Sequence, residues 1–380
     1  MLPVSAPLAS PSALTEALAR RPWIRTCVGA FLAGRVLLFL IGGLSRAFAE
    51  LPFGPLEMWL QWDAAWYLSI AQDGYSASTA WEGPIEGQSN LAFFPLYPLL
   101  VRLFGALMPS PLAGVLLSSA CLLGASLFLH RLAAPRLGER GADFAVLSLN
   151  AFPGSFVYSS VMTEGLFLLL TTACVYFATR RAYAGAAVMG GLASITRVTG
   201  ILAGVAVGID WVKSRLLFAE EEIDWRQLLA VCAIPLPLVG FMGYLLWKFG
   251  DAYAFQSIQP FWGRSYGNPF SILVFPFTHP AGPVDVFVSA YTIVVVLAVL
   301  AGARALTWGE LFFFLASILL PLSSGTQSLP RYLVAQFPLH LAMGGLMARR
   351  PFLGQYLPVA MALFNGFMMT LWSRGHHVFV

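Results

Sequence analysis

The chain has 380 residues, 58% of them hydrophobic and 11% charged, with a formal net charge of +4 and a mean hydropathy of +0.75. Soluble domains are about 45–50% apolar and about 25% charged, so this composition excludes a soluble enzyme, a disordered chain and a nucleic-acid-binding module. It leaves an all-α, polytopic integral membrane protein in which roughly 20 apolar residues make each spanning helix.

The first apolar run, residues 26–48, follows Arg20, Arg21 and Arg25. It is too long for the core of a signal peptide and lacks a small-residue cleavage site, so it reads as an uncleaved anchor. Further apolar runs lie near 111–130, 142–159, 163–179, 183–197, 199–212, 227–247, 286–303, 308–322, 331–348 and 353–373. With the first they predict about 11 spans. Cytoplasmic segments carry the excess of Lys and Arg. With the N-terminus inside, alternation puts 14 of the 22 basic residues on that side, and every inside segment holds at least one. The pattern needs 183–212 to be two short helices broken at Thr199–Gly200, because one long helix would invert everything downstream. Two long segments, 49–110 and 249–285, then face out. The chain 1–380 reads as a single membrane domain, without repeats, linkers or low-complexity tracts.

The first outer loop contains Gln61-Trp-Asp-Ala-Ala-Trp-Tyr-Leu-Ser-Ile-Ala-Gln-Asp-Gly-Tyr75, which predicts a helix stopped by Gly74. Trp62, Trp66 and Ile70 are spaced by four and form an apolar stripe, with Asp63 and Tyr67 together on the adjacent face. Such a Trp-rich helix belongs in the membrane interface. A carboxylate between two tryptophans at that depth is expensive without a task or a partner, which makes Asp63 a functional candidate. Asn90-Leu-Ala-Phe-Phe-Pro-Leu-Tyr-Pro-Leu-Leu-Val-Arg102 follows, with prolines suited to a helix start. Two interfacial helices in this loop would roof a cavity that a lipid-borne substrate enters from the side.

These motifs carry a resemblance. W-D-A-x-W-Y-x-x-I-A-x-x-G-Y followed by A-F-F-P-L-Y-P-L-L resembles the GPI mannosyltransferase 2 family and its prokaryotic relatives, which are membrane glycosyltransferases of the GT-C class. Met162-Thr-Glu-Gly-Leu-Phe167, Ser194-Ile-Thr-Arg-Val-Thr-Gly200 and Ser328-Leu-Pro-Arg-Tyr332 resemble later elements of the family in the same order. The first two motifs together are specific; the later three are short. The resemblance implies transfer, with inversion, of a mannose or similar sugar from a polyprenyl-phosphate donor to an acceptor hydroxyl on the extracytoplasmic side. A prokaryotic plasma-membrane member would act on a lipid, glycan or protein acceptor. The class places its general base on an acidic residue of the first outer loop, a position that Asp63 fits, with Asp73 second.

That chemistry needs positive groups for the departing phosphate. Arg331, Arg197, Arg264 and Lys248 are available on the predicted outer face, the first two at the ends of spans. Glu164, in an outer turn, could bind sugar hydroxyls or hold an arginine, and Tyr67 stands beside Asp63. Arg35 is expected to be satisfied inside the bundle, while Arg46 and Arg102 snorkel. The chain has no D-x-D; its nearest approach, Glu222-Ile-Asp224, falls on an inside loop. No cofactor is required, and nothing in the sequence rules a divalent metal out. The four cysteines read as small buried hydrophobes. A polyprenyl-lipid or small-solute transporter or flippase remains the alternative, though matched broken helices in internal repeats are not visible.

Overall fold

The computed structural model describes residues 21–52, 54–77, 87–217, 225–279 and 281–376. Arg20, Glu82, Glu86, the acidic run from Glu220 to Asp224 and His377 lie outside the described residues. Helices and short 3₁₀ turns make up the fold, with no strand among the described residues.

Helix α1 (Pro22–Phe48) begins with proline in its first turn, where a missing N–H costs nothing. Its 27 residues are long enough to cross a bilayer. Two short helices follow, α2 (Ala64–Asp73) and α3 (Leu96–Gly105). Then come α4 (Ser110–Ala151), α5 (Glu164–Thr179), α6 (Tyr183–Ser194) and α7 (Ile201–Leu217). Next are α8 (Trp225–Ala233), α9 (Leu236–Phe249), the short α10 (Ala254–Ser257) and α11 (Pro269–Thr278). The chain closes with α12 (Pro283–Ala301), α13 (Trp308–Leu322), α14 (Leu329–Val334), α15 (Phe337–Arg349) and α16 (Pro351–Ser373). Five stretches are long and apolar enough to cross a membrane: α1, α4, α8 with α9, α12 and α16. The shorter apolar helices α5 and α13 accompany them. The chain is an all-α, multi-pass membrane protein.

The bundle forms around α4, which packs against α1, α5, α15 and α16. Helix α4 bends at Gly138, whose φ of 71° is open to glycine at little cost. Its second arm ends at Ala151, not at 159 as the apolar run suggested. Pro153 and the left-handed Gly154 stop the helix, and Ser155–Ser159 is a 3₁₀ turn. The predicted span 331–348 is also corrected. Chain direction changes at Ala335–Gln336, and Pro338 in the first turn of α15 fixes the new start. Arg331 therefore belongs to the separate, short α14.

The expected break within 183–212 is present as the 3₁₀ turn Val198–Gly200 between α6 and α7. A Cβ on Gly200 would lie 2.2 Å from the Ala193 carbonyl oxygen, so only glycine lets the turn fold back this closely. Arg35 is held inside the bundle by its two terminal nitrogens, Nη1 donating to Ser155 O at 2.9 Å and Ser159 Oγ at 3.1 Å, while Nε is buried without a partner. Arg46 does not snorkel. It is buried and donates to Ser373 O at 2.7 Å and Pro52 O at 2.8 Å, tying the ends of α1 and α16 together. Cys27, Cys121 and Cys174 are buried thiols, but Cys232 on α8 is exposed, because α8 has no buried face among its described residues.

The two long polar segments meet one another. Gln88 Nε2 donates to Phe261 O at 3.1 Å, and Trp66 and Phe93, stacked on each other, both meet Trp262 edge to face, with centroids 5.4–6.0 Å apart. Trp66 of α2 therefore packs against protein from both segments. Trp62 is not part of a helical stripe with Trp66 and Ile70: it precedes the helix in the left-handed region, φ 56°.

Candidate active site

A cavity of about 580 Å³ lies where residues 62–67 and 88–94, the start of α5, the α6–α7 break, the segment 255–266 and α13–α15 converge. Six of the eight sequence candidates line it: Asp63, Tyr67, Glu164, Arg197, Arg264 and Arg331. Asp73 and Lys248 are not among its lining residues. Asp73 is exposed at the end of α2, and exposed Lys248 reaches Tyr75 O at 3.4 Å.

Each charged group is delivered by a break in regular structure. Asp63 sits at the start of α2, directly after the left-handed Trp62. Arg331 lies one turn into α14, whose cap residue Ser328 is also left-handed, φ 61°. Left-handed backbone costs a non-glycine residue roughly 1–2 kcal/mol, and two of the four such residues described flank this one pair. Arg197 occupies the gap between α6 and the 3₁₀ turn, and Glu164 opens α5.

Arg331 is the hub. Its Nη2 donates to Asp63 Oδ2 at 2.7 Å and to Ser328 Oγ at 2.8 Å; its Nη1 lies 3.8 Å from Glu164 Oε1 and 3.1 Å from Met162 Sδ. The guanidinium is 3% exposed and Asp63 17% exposed, so the pair is dry on one side and open on the other. Burial by itself would lower the Arg331 pKa, but the carboxylates of Asp63 and Glu164 outweigh it and hold the guanidinium firmly charged. Arg197 Nη1 donates to the same Glu164 Oε1 at 3.1 Å.

Tyr332 is the centre that sequence reasoning passes over. Arg197 lies 4.2 Å from its ring centroid, Arg264 Nη2 donates to its hydroxyl at 3.0 Å, and the Arg331 guanidinium is 5.9 Å from the ring. Burial raises the phenol pKa, yet Arg264, Arg197 and Arg331 overcome it and bring it down to about 8. The same phenol, as the main cause, raises the Arg264 pKa. The signal was in the Arg331-Tyr332 dipeptide, but nothing in composition singles out one of 12 tyrosines. Tyr67 is buried beside Asp63, its hydroxyl 3.4 Å from Thr163 Oγ1, and burial first, then Asp63 and Glu164, push its pKa up.

Three arginines and two carboxylates leave the cavity lining with one net positive charge. The arrangement can hold a singly charged phosphodiester and present an anionic carboxylate beside it. Among the described residues no cluster of His, Cys, Asp and Glu is arranged to hold a metal ion.

No family model matches the chain. No curated protein matches it either. Solved structures do. The crystal structure of ArnT from Cupriavidus metallidurans bound to undecaprenyl phosphate is 15% identical and superposes with a TM-score of 0.54, covering 92% of this chain and 76% of that one. The apo structure of the same protein is 16% identical with a TM-score of 0.52 and the same coverage. The chain therefore has an ArnT-like, polytopic helical fold.

Proposed function

We propose that the chain, residues 1–380 as one membrane unit, is a GT-C glycosyltransferase. It moves a sugar from a polyprenyl-phosphate donor to an acceptor hydroxyl, and its catalytic face is extracytoplasmic with the N-terminus in the cytoplasm. The observation that carries this is the Asp63–Arg331 pair, 2.7 Å apart in a cavity holding three arginines. A likeness in fold to a protein solved with undecaprenyl phosphate supports the carrier. Mannose as the sugar rests on the motif resemblance to GPI mannosyltransferase 2.

The reaction balances simply. The acceptor oxygen bonds to C1 of the sugar from the face opposite the phosphate, with inversion. The C1–O bond to phosphate breaks, and the acceptor proton passes to Asp63. Only one Asp63 oxygen is taken up by Arg331, and the other is the base. The donor diester carries one negative charge, and the polyprenyl phosphate that leaves gains a second. Arg331, Arg197 and Arg264 stabilise that growing charge, so they favour the transition state over the ground state. Glu164 sets the spacing of Arg197 and Arg331 by sharing one oxygen between them. The steps as written call on no metal, because a lipid monophosphate needs less metal help to leave than a nucleotide diphosphate does.

The test is sugar transfer by purified protein given synthetic polyprenyl-phosphomannose and a cell lipid extract. Transfer by the wild type and none by Asp63→Asn supports both the class and the base. Transfer by both refutes the base. Movement of polyprenyl phosphate between leaflets without transfer supports the flippase alternative.

A further inference from the structure

Residues in the wall of the same cavity also carry polar oxygens that the arginines do not take up. Ser317 on α13 and Gln336 at the α14–α15 junction both line it, 1% and 2% exposed respectively. Glu164, also lining and 2% exposed, joins them from α5. Each carries a buried polar atom without a hydrogen-bond partner: Ser317 Oγ, Gln336 Oε1 and Glu164 Oε2. Gln336 uses its amide nitrogen on Tyr332 O at 3.1 Å, which turns its oxygen into a bare acceptor. Glu164 spends its other oxygen on Arg197 and Arg331. Buried polar atoms in native proteins are almost always paired. Three unpaired oxygens from three separate elements, in residues that border one cavity, are therefore groups waiting for a ligand's donors.

We infer that Glu164, Ser317 and Gln336 form the subsite for the donor's sugar ring, and that it takes a sugar rich in hydrogen-bond donors and without an acid group; this rests on the proposed glycosyl transfer. The chemistry of the wall sets the class. Two of its oxygens, the amide and the carboxylate, only accept, so they call for hydroxyl donors. A uronic acid would set its carboxylate against Gln336 Oε1 and Glu164 Oε2, acceptor against acceptor. A sugar without an acid group escapes that penalty. A site built to accept from hydroxyls discriminates strongly against a ligand that lacks them, because its own polar groups are then left bare.

The test is equilibrium binding to the purified full chain in detergent, with three probes of equal lipid length. These are polyprenyl phosphate, polyprenyl-phosphomannose and polyprenyl-phosphoglucuronate. The wild type is expected to bind phosphomannose at least about tenfold more tightly than phosphoglucuronate. Ser317→Ala and Gln336→Leu should each weaken phosphomannose about tenfold and leave polyprenyl phosphate within about twofold. Polyprenyl phosphate is thus also the check that a variant is folded. Equal affinity of the wild type for phosphomannose and phosphoglucuronate would overturn the subsite, and needs no variant. So would variants that bind phosphomannose like the wild type. If the wild type binds none of the three, the glycosyl-transfer reading falls first and the subsite with it.

Discussion

Arg331 Nη2 and Asp63 Oδ2 lie 2.7 Å apart although 268 residues of chain separate them. The contact joins the first long loop to the last third of the bundle, and each partner is held by strained backbone beside it. Such strain persists only where surrounding structure over-determines it, and it concentrates at functional sites. The pair also explains how a carboxylate can stand among aromatic rings near a membrane: it is matched by a guanidinium, which lowers the cost of burying it.

Asp63→Asn keeps the size and an acceptor oxygen but loses the base. On the proposed reaction, transfer should fall by about 10²–10⁴, the usual contribution of a positioned base. Donor binding should change far less, because the three arginines remain. Single-turnover transfer and donor affinity, measured on the same preparation, check both halves. Asp73→Asn, at an exposed position outside the cavity lining, should leave transfer within about twofold. A large loss there would move the chemistry away from the Arg331 contact.

Arg331→Met removes the cation that faces two carboxylates. Breaking a buried pair by deleting one partner costs about 3–5 kcal/mol, so this variant should show a lower melting temperature as well as lost transfer. Arg331→Lys keeps the charge yet cannot reach Asp63, Ser328 and Glu164 at once, because an ammonium lacks the planar fork. It should fold nearly as well as wild type and transfer at least about tenfold more slowly. Thermal melting beside transfer rate separates the structural part from the catalytic part.

What the sequence could show follows from what is local. An isolated charge in an apolar run is visible as an anomaly, which is how Asp63, Glu164, Arg197 and Arg331 stand out. Helix ends are visible where Pro and Gly mark them, as at Gly74. The break at Ala335–Gln336 is harder to see, because Leu333, Val334, Ala335 and Phe337 continue the apolar run across it. That two loops remote in sequence bring Trp66 edge to face with Trp262 is a tertiary fact, with no trace in spacing. Asp73 and Lys248 have the same residue types as groups in the cavity, and only geometry separates them. Ser317 and Gln336 look unremarkable in the chain; they gain meaning from having buried, unpartnered oxygens beside a cavity.

The Tyr332 phenol, brought down to about 8 by its arginines, gives the site a pH dependence. Below that value the phenol is neutral and the cavity lining carries one net positive charge. Above it a phenolate forms among the three guanidiniums, the net charge falls to zero, and the donor phosphate competes with an internal anion. Donor affinity should therefore be flat up to about pH 7 and weaken as pH rises through 8, with a limiting slope of about tenfold per pH unit. Tyr332→Phe should remove that decline, since no phenolate can form, while the ring stays under Arg197. Affinity for polyprenyl-phosphomannose, a diester with no titration of its own in this range, measured from pH 6.5 to 9.5 for both forms decides it: parallel profiles would rule the phenol out as the titrating group.

Ser328 separates backbone strain from hydrogen bonding. Its φ of 61° suits glycine, and its hydroxyl accepts from Arg331 Nη2 at 2.8 Å. Ser328→Ala loses the hydrogen bond and keeps the left-handed cost. Ser328→Gly loses the same bond but relieves the strain, offset in part by a more flexible unfolded chain. The glycine variant should therefore be the more stable of the two by about 1 kcal/mol. Both should transfer more slowly than wild type, because Arg331 loses the partner that fixes its rotamer towards Asp63. Thermal melting of the two variants reads the strain, and their transfer rates read the orientation. If alanine proves as stable as glycine, the left-handed turn at Ser328 is not a cost that the Asp63–Arg331 contact has to sustain.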